Sequence, residues 1–313
     1  MRVVGIDKFG GPEALKIVNS PVNEPAPGEI RIQVAAAAVN PIDLLMRSGA
    51  FASAFGNLRP PYILGYDAAG VIDKVGFGVS RLSVGDRVMT VVSPIRSLGG
   101  AYQESLVVKE ESVVPIPDSA TLVEACTLPM NGLTALAALR DLNIPEGGML
   151  LVTGGAGWLA SLTLGIAKAR GLWVIADADP ADYEAVLAAG ADEVVERGPD
   201  MPQRVRRRVP KGVDAALDTA LIGPSLLPAI RDCGALAIVR VEPKAETERN
   251  IVSRPITMMN MMEDTNALLQ LRRLASEGRI PMKVFRTFVA DNASAAHDIQ
   301  AQGGIRGRIV LTF

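Results

Sequence analysis

The 313-residue chain contains few of the residues that build metal centres and disulfides. It has two cysteines, Cys126 and Cys233, and one histidine, His297. So few thiols favour a reducing compartment without a disulfide framework. A zinc site of the usual kind draws on Cys and His ligands and is therefore nearly excluded. Both cysteines stand in apolar stretches, which predicts small core residues, and the polar sequence around His297 predicts a surface position.

Net charge and long apolar runs are scarce too. The chain has 32 Lys and Arg against 34 Asp and Glu, a net charge of −2, which disfavours a nucleic-acid-binding protein. One arginine cluster departs from that balance, Arg204 with Arg206, Arg207 and Arg208, and a solvated helix face or end is its favoured interpretation. No apolar run reaches the roughly 18 residues of a membrane span. The first residues lack a signal-peptide core, so the cytoplasm is the expected location.

Hydrophobic residues make up 49% of the chain, enough for a large core in about two domains. Residues 1 to about 120 carry short β-prone runs between Gly and Pro turns, which predicts a mostly antiparallel, barrel-like domain. A helical pattern begins near 121. From 149 strands alternate with helices, which predicts a parallel, doubly wound α/β sheet. The pattern after 257 indicates a return to the first domain. The predicted domains are 1–121 with 258–313, and 122–257.

A glycine-rich turn joins a strand to a helix in the stretch LVTGGAGWLASLTLGIAKARG, residues 151–171. Residues 155–160 fit the pattern G-x-G-x-x-G/A. Its small residues allow a tight turn, a close approach of pyrophosphate and close helix–strand packing. The phosphates would lie at the positive end of the helix dipole. The pattern predicts a dinucleotide site; a plain glycine turn that packs helix on strand is the alternative.

Two carboxylates, Asp177 and Asp179, stand at the end of the next predicted strand. An acidic residue about 20 residues after the turn commonly binds the adenosine ribose hydroxyls. Both carboxylates would repel a 2′-phosphate, which favours NADH over NADPH. The alternative is that one or both cap the helix that follows Pro180.

Several separated stretches, in a fixed order, carry a family resemblance. They are VNPIDLLMRSGAF, PYILGYDAAGVIDKVGFGV, SVGDRVM, GGAYQESLVV, LPMNGLTALAAL, the glycine turn, GADEVV, GVDAALDTA and IRGRIVL. Together they resemble the zinc-independent medium-chain dehydrogenase/reductase superfamily, in its quinone oxidoreductase-like branch, over essentially the whole chain. The resemblance implies a GroES-like β-barrel catalytic domain, an inserted Rossmann domain and a cleft between them. It also implies hydride transfer from NADPH or NADH to a quinone or α,β-unsaturated carbonyl compound, NADPH as the usual cofactor, and a homodimer.

The resemblance assigns roles to individual residues as well. It implies that Asn40 lies beside the nicotinamide or the substrate carbonyl, that residues 177–179 meet the adenosine ribose, and that 239–241 pass near the nicotinamide. The remaining cofactor contacts it implies are Asn131 and Thr134 at the nicotinamide, Val239 near its ring, and Gly154, Gly155, Ala156, Gly157 and Trp158 at the pyrophosphate. Zinc-dependent relatives hold their catalytic zinc with Cys and His where this chain has Asn40 and Tyr66, so no zinc is expected.

Carbonyl reduction needs a donor for the developing enolate oxygen and a proton for the α carbon. The amide of Asn40 and the hydroxyl of Tyr66 are the candidates for the first role, and Tyr66 for the second. Tyr62 is a neighbour with the same chemistry. The alternative for Tyr66 is a half-buried ring whose hydroxyl has a structural partner. Asp67 is expected to hold the backbone of its turn.

Four positions depart from the family pattern. One is Asp179, which stands where relatives that use NADPH tend to have Ser, Lys or Arg. Trp158 replaces a glycine at the start of the helix, where its indole either obstructs the pyrophosphate or packs as core. Gly165 stands mid-helix, where glycine costs roughly 1 kcal/mol relative to Ala. Phe51 replaces a tyrosine that donates a proton in some members. A rival hypothesis follows: the same fold without cofactor, acting as a redox-neutral tailoring enzyme, such as a cyclase or dehydratase, or as a binding protein. Core or dimer packing is expected for the methionines of 258–262.

Overall fold

A computed structural model describes residues 1–239 and 248–313 of the chain. It forms two compact units. The first contains Met1–Met130, Met262–Ser276 and Met282–Phe313; the second contains Asn131–Met261 and Glu277–Pro281. Residues 122–130, which the sequence pattern groups with the second domain, thus belong to the first unit. Arg240 and Val241, two of the residues implied near the nicotinamide, lie outside the described residues.

Antiparallel strands build the N-terminal part of the first unit, as its turn-rich pattern predicts. They are β1 (Arg2–Ile6), β2 (Lys16–Asn19), β3 (Glu29–Val39), β4 (Tyr62–Ile63), β5 (Asp67–Val75), β6 (Arg87–Val91), β7 (Ser105–Lys109) and β8 (Val113–Pro115). Every pairing among these eight strands is antiparallel. Three helices follow strands of this region: α1 (Pro41–Ser48), α2 (Leu122–Ala125) and α3 (Pro129–Leu142). The helical pattern near 121 therefore forms two helices, and the second begins at a proline, which suits a first helical position.

A six-stranded parallel sheet forms the second unit. Its strands are β9 (Met149–Val152), β10 (Trp173–Ala178), β11 (Glu193–Glu196), β12 (Val213–Asp218), β13 (Ile230–Ile238) and β14 (Val252–Pro255), and its helices are α4 (Trp158–Ala169), α5 (Tyr183–Ala188) and α6 (Met201–Arg208). The strand order is β11-β10-β9-β12-β13-β14, with all neighbours parallel. The predicted doubly wound sheet is confirmed. The order reverses between β9 and β12, where sheets of this kind bind ligands at the carboxyl ends of their strands.

The chain then returns to the first unit, as its sequence predicts. The last elements are α7 (Thr265–Ser276), β15 (Val284–Val289), α8 (Ala293–Gln302) and β16 (Arg308–Thr312). Strand β16 pairs antiparallel with β3, and β15 pairs parallel with β16. The resulting seven-stranded sheet has the order β15-β16-β3-β5-β6-β8, with β7 also paired to β3.

Two expectations about small residues need correction. Cys126 is buried as predicted, but Cys233 is exposed. The pairing of β13 with β12 skips from Ile230 to Ala235, so Cys233 lies in a bulge, with a positive φ of 56°. Gly165 has a packing role that its sequence context did not reveal. A Cβ there would lie 2.2 Å from the carbonyl oxygen of Arg279, so only glycine permits this close approach.

The structure places the arginine cluster, the longest apolar helical stretch and the methionines of 258–262. In α6, Arg204 pairs with Asp200 at 2.9 Å, and Arg206 Nη1 donates to the carbonyl of Ile230. Arg207 and Arg208 are exposed, which agrees with the favoured interpretation of a solvated helix face or end. Among the described residues one helical stretch, Leu122–Leu142, is long and apolar enough for a membrane span, and 78% of its apolar window is buried in the protein. Met258 and Met261 are buried, whereas Met259 is exposed.

Candidate cofactor and catalytic site

The turn between β9 and α4 contains two glycines that serve different purposes. A Cβ on Gly155 would lie 2.9 Å from the carbonyl oxygen of Asp177 and 3.0 Å from the Cβ of Ala176, so Gly155 lets the turn pack on β10. A Cβ on Gly157 would meet one atom within 4 Å, the carbonyl oxygen of Gly154 at 3.0 Å. Gly157 has ordinary extended dihedrals, φ −72° and ψ 159°, and precedes the helix. The space beside Gly157 is therefore open at the N-terminus of α4.

The start of α4 supplies hydrogen-bond donors for an anion. The amides of the first helical turn have no intrahelical acceptor, and the amide of Ser161 is bonded to the carbonyl of Gly157 at 2.9 Å. These donors and the helix dipole favour a phosphate. Trp158, the first residue of α4, is 4% exposed. That burial is expected of a side chain that packs as core and favours this alternative over obstruction of the pyrophosphate.

Hydrogen bonds tie together the two strand ends at which the sheet order reverses. Thr153, after β9, donates its hydroxyl to Asp218 Oδ1 at 2.8 Å. Thr219, after β12, donates to the carbonyl of Thr153 at 2.6 Å. Asp218 and Thr153 are fully buried. This set was not predicted from the sequence. A polar residue does stand at the end of each of two buried strands, but these strands become neighbours only through the sheet order.

Asp177 and Asp179 lie at the end of β10 but in different surroundings. Asp177 is 1% exposed; its Oδ1 accepts from the amide of Gly154 at 2.5 Å and its Oδ2 from Arg197 Nε at 3.1 Å. Asp179 precedes a short helical turn, Pro180–Asp182, without capping it through its side chain. Its exposed carboxylate lies 3.5 Å from Arg197 Nη1. Asp177 thus stabilises the glycine turn, and Asp179 faces solvent beside an arginine.

The other implied cofactor residues of the second unit lie in two places. Asn131 and Thr134 are on the first turns of α3, where Asn131 is buried and Thr134 half-buried. Val239 is half-buried and directly follows β13. Val239 therefore stands at the carboxyl end of a strand, the position from which such sheets present side chains to a ligand.

In the first unit, Asn40 and Asp67 form the centre of a buried polar cluster. Asn40 precedes α1 and is fully buried, and its Nδ2 donates to Asp67 Oδ2 at 2.8 Å. The other carboxylate oxygen of Asp67 accepts from the amide of Met130 at 2.6 Å. Asp67 therefore holds the amide of Asn40 and the backbone of α3. The amide of Asn40, engaged and closed to solvent, is poorly placed to meet a substrate carbonyl.

His297 belongs to this cluster, which corrects the expectation of a surface position. It is fully buried on α8, and its Nε2 lies 3.4 Å from the hydroxyl of Tyr102. That hydroxyl also donates to Asp43 Oδ2 at 3.1 Å, and Asp43 Oδ2 accepts from the backbone amide of Asn40 at 2.8 Å. The neighbouring Asp298 is exposed, whereas His297 points into the protein. Because its partner Tyr102 is 195 residues away, no local pattern revealed the contact.

Burial shifts the titration of this cluster. It raises the pKa of Asp43 and that of Asp67 to about 7, against the opposing effect of their hydrogen bonds and of nearby Arg308. Burial, with the charge of Arg47, lowers the pKa of His297 to about 3, so this imidazole is neutral at physiological pH.

Stability is therefore expected to fall as pH rises through this range. The folded protein binds protons on Asp43 and Asp67 that the unfolded chain, with ordinary carboxyl pKa values near 4, has released. Their stabilising effect is complete below pH ~4 and is lost as pH rises through about 7. Each group changes the free energy of unfolding by up to ~1.4 kcal/mol per pH unit within that window. Thermal melts from pH 5 to 8 at constant ionic strength measure the slope. Asp43→Asn, which keeps an oxygen acceptor for Asn40 and Tyr102, should flatten it; equal slopes in both proteins would contradict the assignment.

Tyr66 differs from Tyr62 and Tyr102 in its hydroxyl. Its side chain is 4% exposed, yet within residues 1–239 and 248–313 its hydroxyl has no hydrogen-bond partner. Tyr62, by contrast, donates to the carbonyl of Leu58 at 3.3 Å. Burial and the nearby Asp43 carboxylate hold the pKa of Tyr66 well above its ordinary range. Tyr66 is thus a protonated donor, and the structural-partner alternative is not supported.

The described residues fit a dinucleotide better than a metal ion. Gly157 leaves the approach to the amides of α4 open, and the buried strand ends at the sheet reversal fix the turn. In the parts of the chain that the structure describes, no three His, Cys, Asp or Glu side chains converge as a metal site would require. The positions of Asn40 and Tyr66 offer an amide and a phenol, which are poor ligands for zinc.

Comparison with known proteins agrees with this arrangement. Residues 26–118 match the alcohol dehydrogenase GroES-like domain, and residues 189–311 match the family described as zinc-binding dehydrogenase. The chain is 32% identical over 226 residues to quinone oxidoreductase of Sus scrofa, a match that spans 70% of this chain and 66% of the pig protein.

Solved structures match over the full length. A crystal structure of an NAD-dependent alcohol dehydrogenase has a TM-score of 0.89 and 29% identity, with all of both chains covered. The quinone oxidoreductase of Coxiella burnetii has a TM-score of 0.87 and 26% identity, covering 100% of this chain and 99% of that one. With its antiparallel β unit and its parallel sheet of order β11-β10-β9-β12-β13-β14, the chain belongs to the medium-chain dehydrogenase/reductase superfamily, in its quinone oxidoreductase-like branch.

Proposed function

We propose that the protein is a zinc-independent reductase that transfers hydride from NADPH or NADH to a quinone or an α,β-unsaturated carbonyl compound. The observation that carries the proposal is the glycine turn at the reversal of the strand order. There an open Gly157 and the positive end of the α4 helix dipole would provide a phosphate site. The names of the pig and Coxiella relatives support a quinone as substrate.

The second unit would hold the cofactor. Residues 154–158 would bind the pyrophosphate, Asp179 would lie at the adenosine ribose, and Asn131, Thr134 and Val239 would contact the nicotinamide. Asp177 would act indirectly, because its carboxylate is buried and occupied by Gly154 and Arg197. A reduced nicotinamide held in this way supplies the hydride. The residues of the turn contribute orientation and charge neutralisation.

Tyr66 would perform the acid chemistry. A hydroxyl without a protein partner can donate to the carbonyl oxygen of the substrate and stabilise the negative charge that develops there. It can then pass a proton to the reduced product. Asn40 would position rather than donate, since Asp67 and Asp43 hold its side chain and backbone in place.

The substrate class follows from this chemistry. Hydride addition to a conjugated carbonyl places charge on an oxygen several bonds from the carbon attacked, and quinones and enones share that property. One neutral donor suits one carbonyl oxygen. We propose an apolar, flat substrate, and a cytoplasmic homodimer as the acting form.

Cofactor binding is the first test. Titration of the purified protein with NADPH and with NADH, followed by nicotinamide fluorescence and calorimetry, is expected to give micromolar dissociation constants for at least one of them, a typical range for such enzymes. A quinone and enone screen with that cofactor would follow.

Failure to bind either cofactor up to millimolar concentration would reject the reductase and favour redox-neutral chemistry on the same fold. Trp158→Gly separates the reasons for such a failure. A gain of binding would show that the indole obstructs the pyrophosphate. A loss of solubility would mark Trp158 as core, in line with its burial.

A further inference from the structure

Tyr102 is a buried tyrosine that the proposed reaction leaves unused. It is fully buried and lies shortly before β7 in the first unit. Its amide donates to the carbonyl of Leu64 at 2.9 Å, and the amide of Ala101 donates to the carbonyl of Gly65 at 2.8 Å. The segment that leads into Tyr66 is therefore bound along its backbone to residues 101 and 102.

The ring of Tyr102 occupies the space beside Gly65, the residue that precedes Tyr66. A Cβ on Gly65 would lie 2.5 Å from Cε1 of that ring and still closer to its Cδ1. Gly65 also has a φ of 90°, in the left-handed region that favours glycine. Because the ring packs directly on Gly65, the backbone next to Tyr66 depends on the position of the Tyr102 side chain.

Hydrogen bonds hold the far end of the Tyr102 ring. Its hydroxyl donates to Asp43 Oδ2, on α1, at 3.1 Å and lies 3.4 Å from Nε2 of His297, on α8. Because the hydroxyl proton goes to Asp43, the hydroxyl oxygen accepts from His297, and the neutral imidazole carries its proton on Nε2. The rings of Tyr102 and His297 also meet edge to face, with centroids 5.9 Å apart. Contacts with two helices thus fix the ring.

The Tyr66 side chain lies near the same cluster. Burial and then the charge of Asp43 raise the pKa of the Tyr66 phenol, so the carboxylate that holds Tyr102 also acts on Tyr66. The backbone hydrogen bonds from residues 101 and 102 to Gly65 and Leu64 agree with this proximity.

We propose that Tyr102, fixed by Asp43 and His297, is a positioning residue that holds the Tyr66 hydroxyl in place for donation to the substrate carbonyl. This inference rests on the proposed function and adds a residue to it. A misplacement of about 1 Å can lower an enzymatic rate by about 10²-fold. Within the described residues the Tyr66 hydroxyl has no hydrogen-bond partner, so its position depends on the backbone that Tyr102 supports.

A double-mutant cycle on kcat tests the inference. Tyr102→Phe keeps the ring and removes the hydroxyl that Asp43 and His297 hold. In the wild-type background it is expected to lower kcat about tenfold, and to change the KM for a quinone and the dissociation constant of the cofactor by less than about threefold. In the Tyr66→Phe background it should lower kcat no further, because the donor that it positions is already absent.

Two further variants complete the design. Thr90→Val is the matched control, because Thr90 is fully buried in the same unit and its hydroxyl donates to the carbonyl of Ser112 at 2.9 Å. This variant loses a buried hydrogen bond and should leave kcat unchanged. His297→Asn withdraws the donor at Nε2 and should lower kcat, again only when the Tyr66 hydroxyl is present. It replaces Tyr102→Phe in the cycle if that variant does not fold.

The cycle distinguishes failure of the inference from failure of the proposed function. An equal loss of kcat from Tyr102→Phe with and without the Tyr66 hydroxyl would show that Tyr102 does not act through Tyr66, and would overturn the inference alone. A normal kcat in Tyr102→Phe, or an equal loss in Thr90→Val, would do the same. A fully active Tyr66→Phe would overturn the inference together with the acid role of Tyr66. A wild-type protein without reductase activity would overturn the proposed function and the inference together.

Discussion

Tyr66→Phe is expected to lower kcat for reduction of a quinone or enone by about 10²- to 10³-fold, the usual contribution of a fixed donor or general acid. The dissociation constant of the cofactor should stay the same, because the proposed phosphate contacts come from the glycine turn, to which Tyr66 does not belong. The melting temperature should also stay the same. Among the described residues the Tyr66 hydroxyl has no partner, so its removal breaks no internal hydrogen bond.

Tyr62→Phe is the matched control. Tyr62 lies four residues away, and its ring stacks on Phe9 with centroids 5.2 Å apart. Its hydroxyl donates a hydrogen bond to the carbonyl of Leu58. Its loss should cost about 1 kcal/mol of stability, the net value of one hydrogen bond, and leave kcat unchanged. The opposite result, an active Tyr66→Phe and an inactive Tyr62→Phe, would mean that Tyr62 is the proton donor and Tyr66 is not. If both variants were active, neither Tyr66 nor Tyr62 would be the proton donor.

A solvent isotope effect on kcat tests the proton transfer itself, in addition to the comparison of the two variants. If Tyr66 gives its proton in the rate-limiting step, kcat in wild type should fall in deuterated buffer, and the variant should lose that solvent isotope effect. The raised pKa of Tyr66 predicts no loss of activity from deprotonation of this group up to pH 9. A fall of kcat in wild type that is centred near pH 8 and absent in Tyr66→Phe would contradict that.

The fold could be predicted largely from local patterns. Strand alternation, glycine turns and apolar periodicity are properties of short segments, so the doubly wound sheet and the return of the chain to the first unit were both predicted. The break before Pro129 was not, because the residues on each side of it are equally helical in character. The bulge that exposes Cys233 was missed for a similar reason. Its apolar neighbours give no sign that β13 pairs with β12 only outside residues 231–234.

The candidate site was predicted only where its residues are local in sequence. The glycine turn and Asp179 satisfy rules of spacing. Arg197, the Thr153–Asp218 pair and the chain from Asp43 through Tyr102 to His297 depend on contacts between residues 20 to 195 positions apart. The predicted preference for NADH rests on the two carboxylates at the end of β10, and Arg197, which directly follows the neighbouring strand β11, contacts both of them.

Substitution of two glycines in the turn, Gly157 and Gly155, distinguishes cofactor binding from helix packing. A large loss of cofactor affinity is expected from one of them. Gly157→Ala is expected to weaken NADPH and NADH by about 10- to 100-fold, because a methyl group at the start of α4 obstructs the phosphate and removes charge-assisted hydrogen bonds. Its melting temperature should fall less than that of Gly155→Ala, since the dihedrals of Gly157 suit any residue and its Cβ has one close contact, at 3.0 Å, where that of Gly155 has three, at 2.9 to 3.1 Å.

Gly155→Ala should instead lower the melting temperature and leave cofactor binding unchanged. Its Cβ meets β10 at 2.9 and 3.0 Å, and such overpacking costs typically about 1–3 kcal/mol. Gly10→Ala, with its nearest contact at 3.7 Å in the first unit, controls for glycine replacement as such. Nicotinamide fluorescence measures cofactor binding by the three variants, and thermal melts measure their stability. If Gly157→Ala melts early and binds normally, the turn only packs helix on strand. If it melts normally and loses the cofactor, the open space beside Gly157 is where the pyrophosphate binds.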